Sequence, residues 1–157
     1  MASTARIGQA ALRERLAESV VAADIGVCAD AMVSQRQTDL FNRVAVALTA
    51  SPERVALVIG LAEGDQRDTT GKALDFMCTF TATLYVHASD PDPLAKPEDE
   101  IFEDLLRHFH GLKLDPADPL GFMFLVDGWG ELRDSGVKNA IARQIVLKRR
   151  AVVPPAS

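Results

Sequence analysis

The sequence predicts an α+β fold, an antiparallel sheet of two hairpins with helices packed on one face. Three stretches carry that prediction. Residues 73–89, "ALDFMCTFTATLYVHAS", alternate as one long strand. Residues 97–111, "PEDEIFEDLLRHFHG", have the ends and the apolar stripe of a helix. Turn chemistry at "GDQRDTTGK" and at "SGVK" separates runs of strand-forming residues on either side.

From the N-terminus, Ile7, Ala11, Leu12, Leu16 and Val20 recur near helical spacing, with Arg13, Glu14, Arg15 and Glu18 on other sides. This is an amphipathic first helix. Residues 24–37 show no clean period and read as a connector with at most a short turn of structure. "TDLFNRVAVALTA" fits a helix opened by Thr38 or Asp39, or a strand from Val44; periodicity does not settle so short a run, and the helix is favoured. Ser51-Pro52 breaks the chain, and a buried strand is expected from about Arg54 to Glu63. The polar loop at 64–72 then joins it to the long strand in an antiparallel hairpin.

One face of the long strand carries Phe76, Cys78, Phe80, Ala82, Leu84 and Val86 and belongs to a core. The other carries Asp75, Met77, Thr79, Thr81, Thr83, Tyr85 and His87. An ordinary solvent face would hold Lys and Glu, so this one is fitted for close packing against something other than water. The run would span roughly 45–50 Å at ~3.3 Å per residue, against a radius of gyration of about 15 Å for a compact chain of this size. It must bend or project.

In the helix, Pro97 sits at the start, Glu98, Asp99 and Glu100 fill the first turn, Arg107, His108 and His110 the last, and Gly111 follows as a C-cap. Ile101, Phe102, Leu105, Leu106 and Phe109 form the stripe that docks on the sheet. "FMFLVDGWGELRD" and "NAIARQIVLKRRAV" complete a second hairpin, which is expected to share one sheet with the first.

The 157 residues, 48% hydrophobic and 25% charged, fit one domain over 1–152, with residues 153–157, "VPPAS", as a disordered tail. Seventeen basic against twenty-two acidic residues leave a net charge of −5, which does not favour wrapping nucleic acid. The first residues lack the apolar core of a signal or anchor, and no run approaches the ~18 residues of a bilayer span. No membrane partner is expected, and synthesis in the cytoplasm is. Cys28 and Cys78 lie outside any CxxC pattern and are expected to be free thiols.

The search for catalytic chemistry is negative. "GDQRDTTGKA" has the wrong glycine spacing for a phosphate loop, and Ala73 stands where Ser or Thr would hold magnesium. His108 and His110, two apart on a helix, point to opposite flanks and cannot chelate one ion; they read as cations near the helix C-terminus. His87 and Cys78 fall on opposite strand faces and make no nucleophile and base pair. No catalytic residue, metal ligand or cofactor is assigned. Lys148, Arg149 and Arg150 are the one strong basic run, read first as charges guarding an edge strand and alternatively as a phosphate-binding patch. Trp129, between Gly128 and Gly130, reads as a core or sheet-edge anchor before a ligand platform, with the glycines marking a bulge or turn.

The order of segments resembles the tail terminator proteins of long-tailed bacteriophages, the family of the lambda minor tail protein U and its tail-completion relatives. The resemblance rests on "ARIGQAALRERLAES", "RVALVIGLAEG", "DQRDTTGK", "LDFMCTFTATLYVHAS", "PEDEIFEDLLRHFHG", "GFMFLVDGW" and "NAIARQIVLKRR", taken in that order from Ile7 to Val152. It implies a structural protein, not an enzyme. Such a protein forms a ring, usually a hexamer, at the head-proximal end of the tail tube. It stops tube polymerisation and offers a surface to the head connector, with nucleic acid only passing through the ring. On this reading Thr79, Thr81, Thr83, Tyr85 and Trp129 are candidate subunit-interface residues. Asp65, Gln66, Arg67, Asp68 and Lys72, with the acidic segment 90–100, are candidates for contacts along the ring axis. Another neck or head-to-tail joining protein is the nearest alternative. A small-molecule-binding or enzymatic α+β domain is the other, and a pocket lined by Trp129, Tyr85 and His87 would favour it.

Overall fold

The computed structural model describes residues 4–24, 27–30, 37–50, 54–60, 63–68, 74–87, 97–113 and 123–153. Its elements are α1 (Thr4–Ala17), a 3-10 turn (Val20–Asp24), β1 (Val27–Asp30), α2 (Gln37–Ala50), β2 (Val55–Ile59), β3 (Glu63–Asp68), β4 (Leu74–His87), α3 (Glu98–Phe109), β5 (Leu125–Glu131) and β6 (Ala140–Val153). One sheet runs β1-β2-β4-β6-β5, with β3 also pairing β4. The α+β class and the two antiparallel hairpins hold. They meet at β4 and β6, which pair from Leu74↔Val153 to His87↔Ala140 without a break. Residues 154–157 lie outside the described residues, and Val153, expected to begin a disordered tail, ends β6 instead.

The polar stretch expected to be a loop is largely strand. β3 pairs antiparallel with the first half of β4, from Glu63↔Thr79 to Asp68↔Asp75. β2 pairs with the second half, from Val55↔Val86 to Ile59↔Ala82. From Ile59↔Ala82 to Glu63↔Thr79 the register along β4 changes by one position. Gly60 N–H still donates to Thr81 C=O at 2.6 Å. A Cβ on Gly60 would collide with Thr81 Oγ1, so the close approach requires glycine. Backbone ladders are indifferent to side-chain polarity, and a polar edge strand is the ordinary protected kind. Composition therefore hid β3.

β1 was also hidden, within the expected connector. It pairs parallel to β2, from Val27↔Ala56 to Asp30↔Ile59, and is the one parallel strand of the described sheet. Four residues are too few for a periodicity to register.

The helices do not all share one face. On the front, α1 and α3 cover a core of Leu12, Leu16, Val55, Leu57, Ile59, Phe80, Leu84, Ile101, Leu105, Phe109, Phe124, Ile145 and Leu147. α2 lies on the back, where Val44, Ala47 and Leu48 pack with Ala56, Val58, Tyr85, Val137 and Ala142. The reason is visible in β2, where five consecutive residues are buried. Ala56 and Val58 point away from the front core and need their own cover, as in any strand buried on both faces.

α1 docks at very short range. A Cβ on Gly8 would run into the Phe80 ring, and the buried Gln9 donates Nε2–H to Ile59 C=O at 2.8 Å. The expected stripe is right at Leu12 and Leu16 but fails at Ile7 and at Val20, which is 90% exposed. The helix stops at Ala17, and Val21 of the following turn goes inside in place of Val20.

Cys78 is free and buried on the front face, as its alternation with Phe80 and Ala82 requires. Burial also raises its thiol pKa, against a smaller opposing pull from Arg149. Modification of Cys78 by a thiol reagent in the native protein is therefore expected to be slow and to accelerate sharply in denaturant. Rapid native labelling would show the two faces of β4 reversed. The side chain of Cys28 is not among those described.

Candidate interaction surfaces

Alternation along β4, β5 and β6 sorts the candidate residues onto two surfaces. Thr79, Thr81, Thr83 and Tyr85 lie on the back, opposite Lys148, Val146, Gln144 and Ala142 of β6. α2 buries the far end of this row, leaving Thr83 6% and Tyr85 5% exposed. Those two are thus part of the chain's own core, and burial raises the Tyr85 pKa. Thr79 and Thr81 remain half-buried beside Gln144 and Val146, with the exposed Leu125 opposite Lys148. Gly128 and Gly130 face open space on the neighbouring strand. Half of the unusual face is therefore explained by α2, and the half around Thr79 and Thr81 is a half-buried sheet surface with little covering it among the described residues, Thr79 standing in register between Glu63 and Lys148.

Trp129 belongs to the other side. It pairs with Ile145, a front-core residue, after a register shift between Val126 and Gly128 that confirms the expected bulge. Trp129 is 66% exposed, so it is not the core anchor the sequence suggests. With Phe102 and Leu106 of α3 it lines a cavity of about 420 Å³, bordered by Asp99, Glu103, Gly130, Glu131 and Arg143. Because Tyr85 is buried on the back, Trp129, Tyr85 and His87 do not converge on one pocket.

Arg143 organises this groove. Its guanidinium reaches Glu98 at 3.2 Å and Asp99 at 2.8 Å and stacks over Phe102 at 5.1 Å, fastening the first turn of α3 to β6. Burial pushes the Glu98 carboxyl pKa up, and Arg143 pulls it back only in part. The sequence reading missed Arg143, yet its signal is present. Ile141, Arg143, Ile145 and Leu147 share one strand parity, and a charge in a core-facing row implies a partner.

The basic run is divided in the same way. Lys148 pairs with Asp127 at 3.2 Å, and Arg150 is exposed. Arg149 turns to the front, over the Phe124 ring at 5.7 Å, where burial lowers its pKa and its Nε is left without a partner. The three do not form one patch. Asp65, Gln66, Arg67 and Asp68 lie in β3, while Lys72 is outside the described residues, so the proposed axial contact falls mainly on a strand.

The two histidines at the end of α3 sit in different surroundings. Pro97 and Gly111 take the expected places, with Gly111 at φ 82°. The exposed His110 accepts the Val126 N–H at Nδ1, 3.1 Å. Burial lowers the His108 pKa below its ordinary 6.5, and its Nε2 is buried without a partner. Between that lowered folded value and about 6.5 the unfolded chain binds a proton that the folded chain refuses. Stability is accordingly expected to be full above this window and to fall as pH drops through it. Urea midpoints across pH 7 to 4 in the wild type and in His108→Gln check this, since the substitution should flatten the slope.

Among the described residues no group of three or more His, Cys, Asp or Glu side chains is placed to hold a metal ion. No described helix is long and apolar enough to cross a membrane. No protein-family model matches the sequence, and no curated protein matches it. Among solved structures, the chain is similar to one described as "Virion of native gene transfer agent (GTA) particle", with a TM-score of 0.56 and 18% identity. This fold occurs in a virion. The match covers 96% of this chain and 99% of that one.

Proposed function

We propose that this chain is a structural protein of a phage-like virion, and within it the tail terminator. The observation that carries the reading is the end-to-end likeness of fold to a virion chain. The segment order from Ile7 to Val152 supports the finer assignment. In this role the protein makes and breaks no covalent bond. It assembles as a ring, a hexamer by the family resemblance, on the head-proximal end of the tail tube. There it halts tube polymerisation and presents a surface to the head connector, and nucleic acid only passes through the ring.

Thr79 and Thr81, on the half of the back face that α2 leaves open, supply the contact with a neighbouring subunit. Thr83 and Tyr85 support it from beneath α2. The β3 segment from Asp65 to Asp68, together with Lys72, supplies contacts along the ring axis. The test mixes the protein with purified tail tubes and images tube ends by electron microscopy. A ring on one end of each tube, with elongation arrested, is the expected result. Uncapped tubes that continue to grow would exclude the terminator role, and binding to connector alone would move the protein to another neck position.

A further inference from the structure

The groove beside Trp129 lies next to a sheet edge that is open over only part of its length. Residues 110–113 run along the outer side of residues 123–126. Gly111 N–H donates to Phe124 C=O at 2.8 Å, Phe124 N–H donates to Leu112 C=O at 2.7 Å, and His110 takes the Val126 N–H. Lys113 and Met123 form a bridge in the same segment. Beyond Val126 this cover stops. Gly128 to Glu131 pair with β6 on one side, and no described strand pairs with them on the other. The strand "LVDGWGE" holds no lysine or proline, and its bulge lies before Gly128, ahead of the open stretch.

We propose that the edge from Gly128 to Glu131 takes an extended, basic segment of another protein as an additional strand, with an Arg or Lys side chain seated in the groove over Trp129. Charge argues for that occupant. Asp99, Glu103 and Glu131 line the groove with Arg143, three carboxylates against one guanidinium, so its charge is negative. The exposed indole offers a cation a π face, and Phe102 and Leu106 receive the aliphatic stem. A strand added at this edge places alternate side chains on the front, under α3 and into the groove, while its backbone meets the free groups of β5.

Trp129 is the single tryptophan of the chain, so its emission reports occupancy directly. The probe is a short peptide alternating arginine and valine, titrated into the full-length protein. A saturable change in tryptophan emission is expected, weakened about tenfold or more in Glu131→Lys, the loss of one favourable charge contact and the gain of a repulsive one. A glutamate-for-arginine peptide, and an arginine peptide with a central proline, should both fail to bind. Circular dichroism confirms that Glu131→Lys is folded. Three results would each overturn the proposal: no emission change with the arginine peptide, equal affinity of Glu131→Lys, or equal binding of the proline peptide. The assay uses no tail tubes, so a chain that caps tubes but ignores the peptide loses this inference and keeps the function proposed above.

Discussion

Phe80→Ala is expected to destabilise the protein by about 3–5 kcal/mol, the range for a fully buried aromatic side chain in a core that cannot collapse around the loss. Phe80 is 0% exposed, meets the edge of Phe124 at a centroid distance of 5.4 Å, and forms the surface on which Gly8 of α1 rests. One truncation therefore loosens a helix, the central strand and the segment before β5 together. For a chain of this length the melting temperature should fall on the order of 10 °C. Calorimetry of wild type and variant is the measurement, and a loss below about 1 kcal/mol would mean that α1 does not dock where the Gly8 contact places it. Gly8→Val, which adds bulk to the same contact from the other side, should also destabilise the fold.

Thr81→Glu and Thr81→Lys are expected to abolish ring formation at tube ends while leaving the isolated chain folded. Thr81 sits on the open half of the back face, so a charge there stays hydrated in the monomer and costs little. In a closed joint the same charge is desolvated without a partner, at several kcal/mol per contact. A ring repeats that defect at each interface. The comparison with Thr83 sharpens the test. At 6% exposure under α2, Thr83→Glu should unfold or destabilise the monomer itself, whereas Thr81→Glu should leave its melting curve nearly unchanged. Electron microscopy of tube ends and thermal melts of the same preparations give both readouts. Thr81 variants that cap as well as wild type would remove the back face from the interface.

These two residues also show what a single sequence discloses. Alternation in β4 separated a core face from a packable one, and the structure keeps that separation at every described position from Cys78 to Val86. Alternation cannot say what covers the second face. α2 does so at Tyr85 and Thr83, because Ala56 and Val58 on the adjacent strand also need cover, and that adjacency is a matter of topology. β3 was hidden for a different reason. Its pairing is carried by backbone groups, and a polar edge leaves no hydrophobic period to read. The groove residues fell between these cases. Trp129 was noticed but assigned to the same surface as the threonines, since only the register shift after Val126 fixes which way its ring points. Arg143 was legible by parity beside Ile141 and Ile145, and its carboxylate partners on α3 were not.

The unbroken ladder between β4 and β6 has a consequence for how the chain is made. Leu74 waits for Val153 and His87 for Ala140, so the central strand gains its second neighbour only once residues 140–153 have been synthesised. At roughly 5–20 residues per second the interval lasts some seconds, during which β4 holds one hairpin partner and one bare edge. Pairings between such distant parts of a chain also form slowly once both are present. Nascent protein is thus most exposed to mispairing with other copies just before its last strand arrives. Premature termination between His87 and Ala140 would release a species with that edge permanently open, and such fragments should accumulate as aggregates or be degraded instead of surviving as smaller folded units.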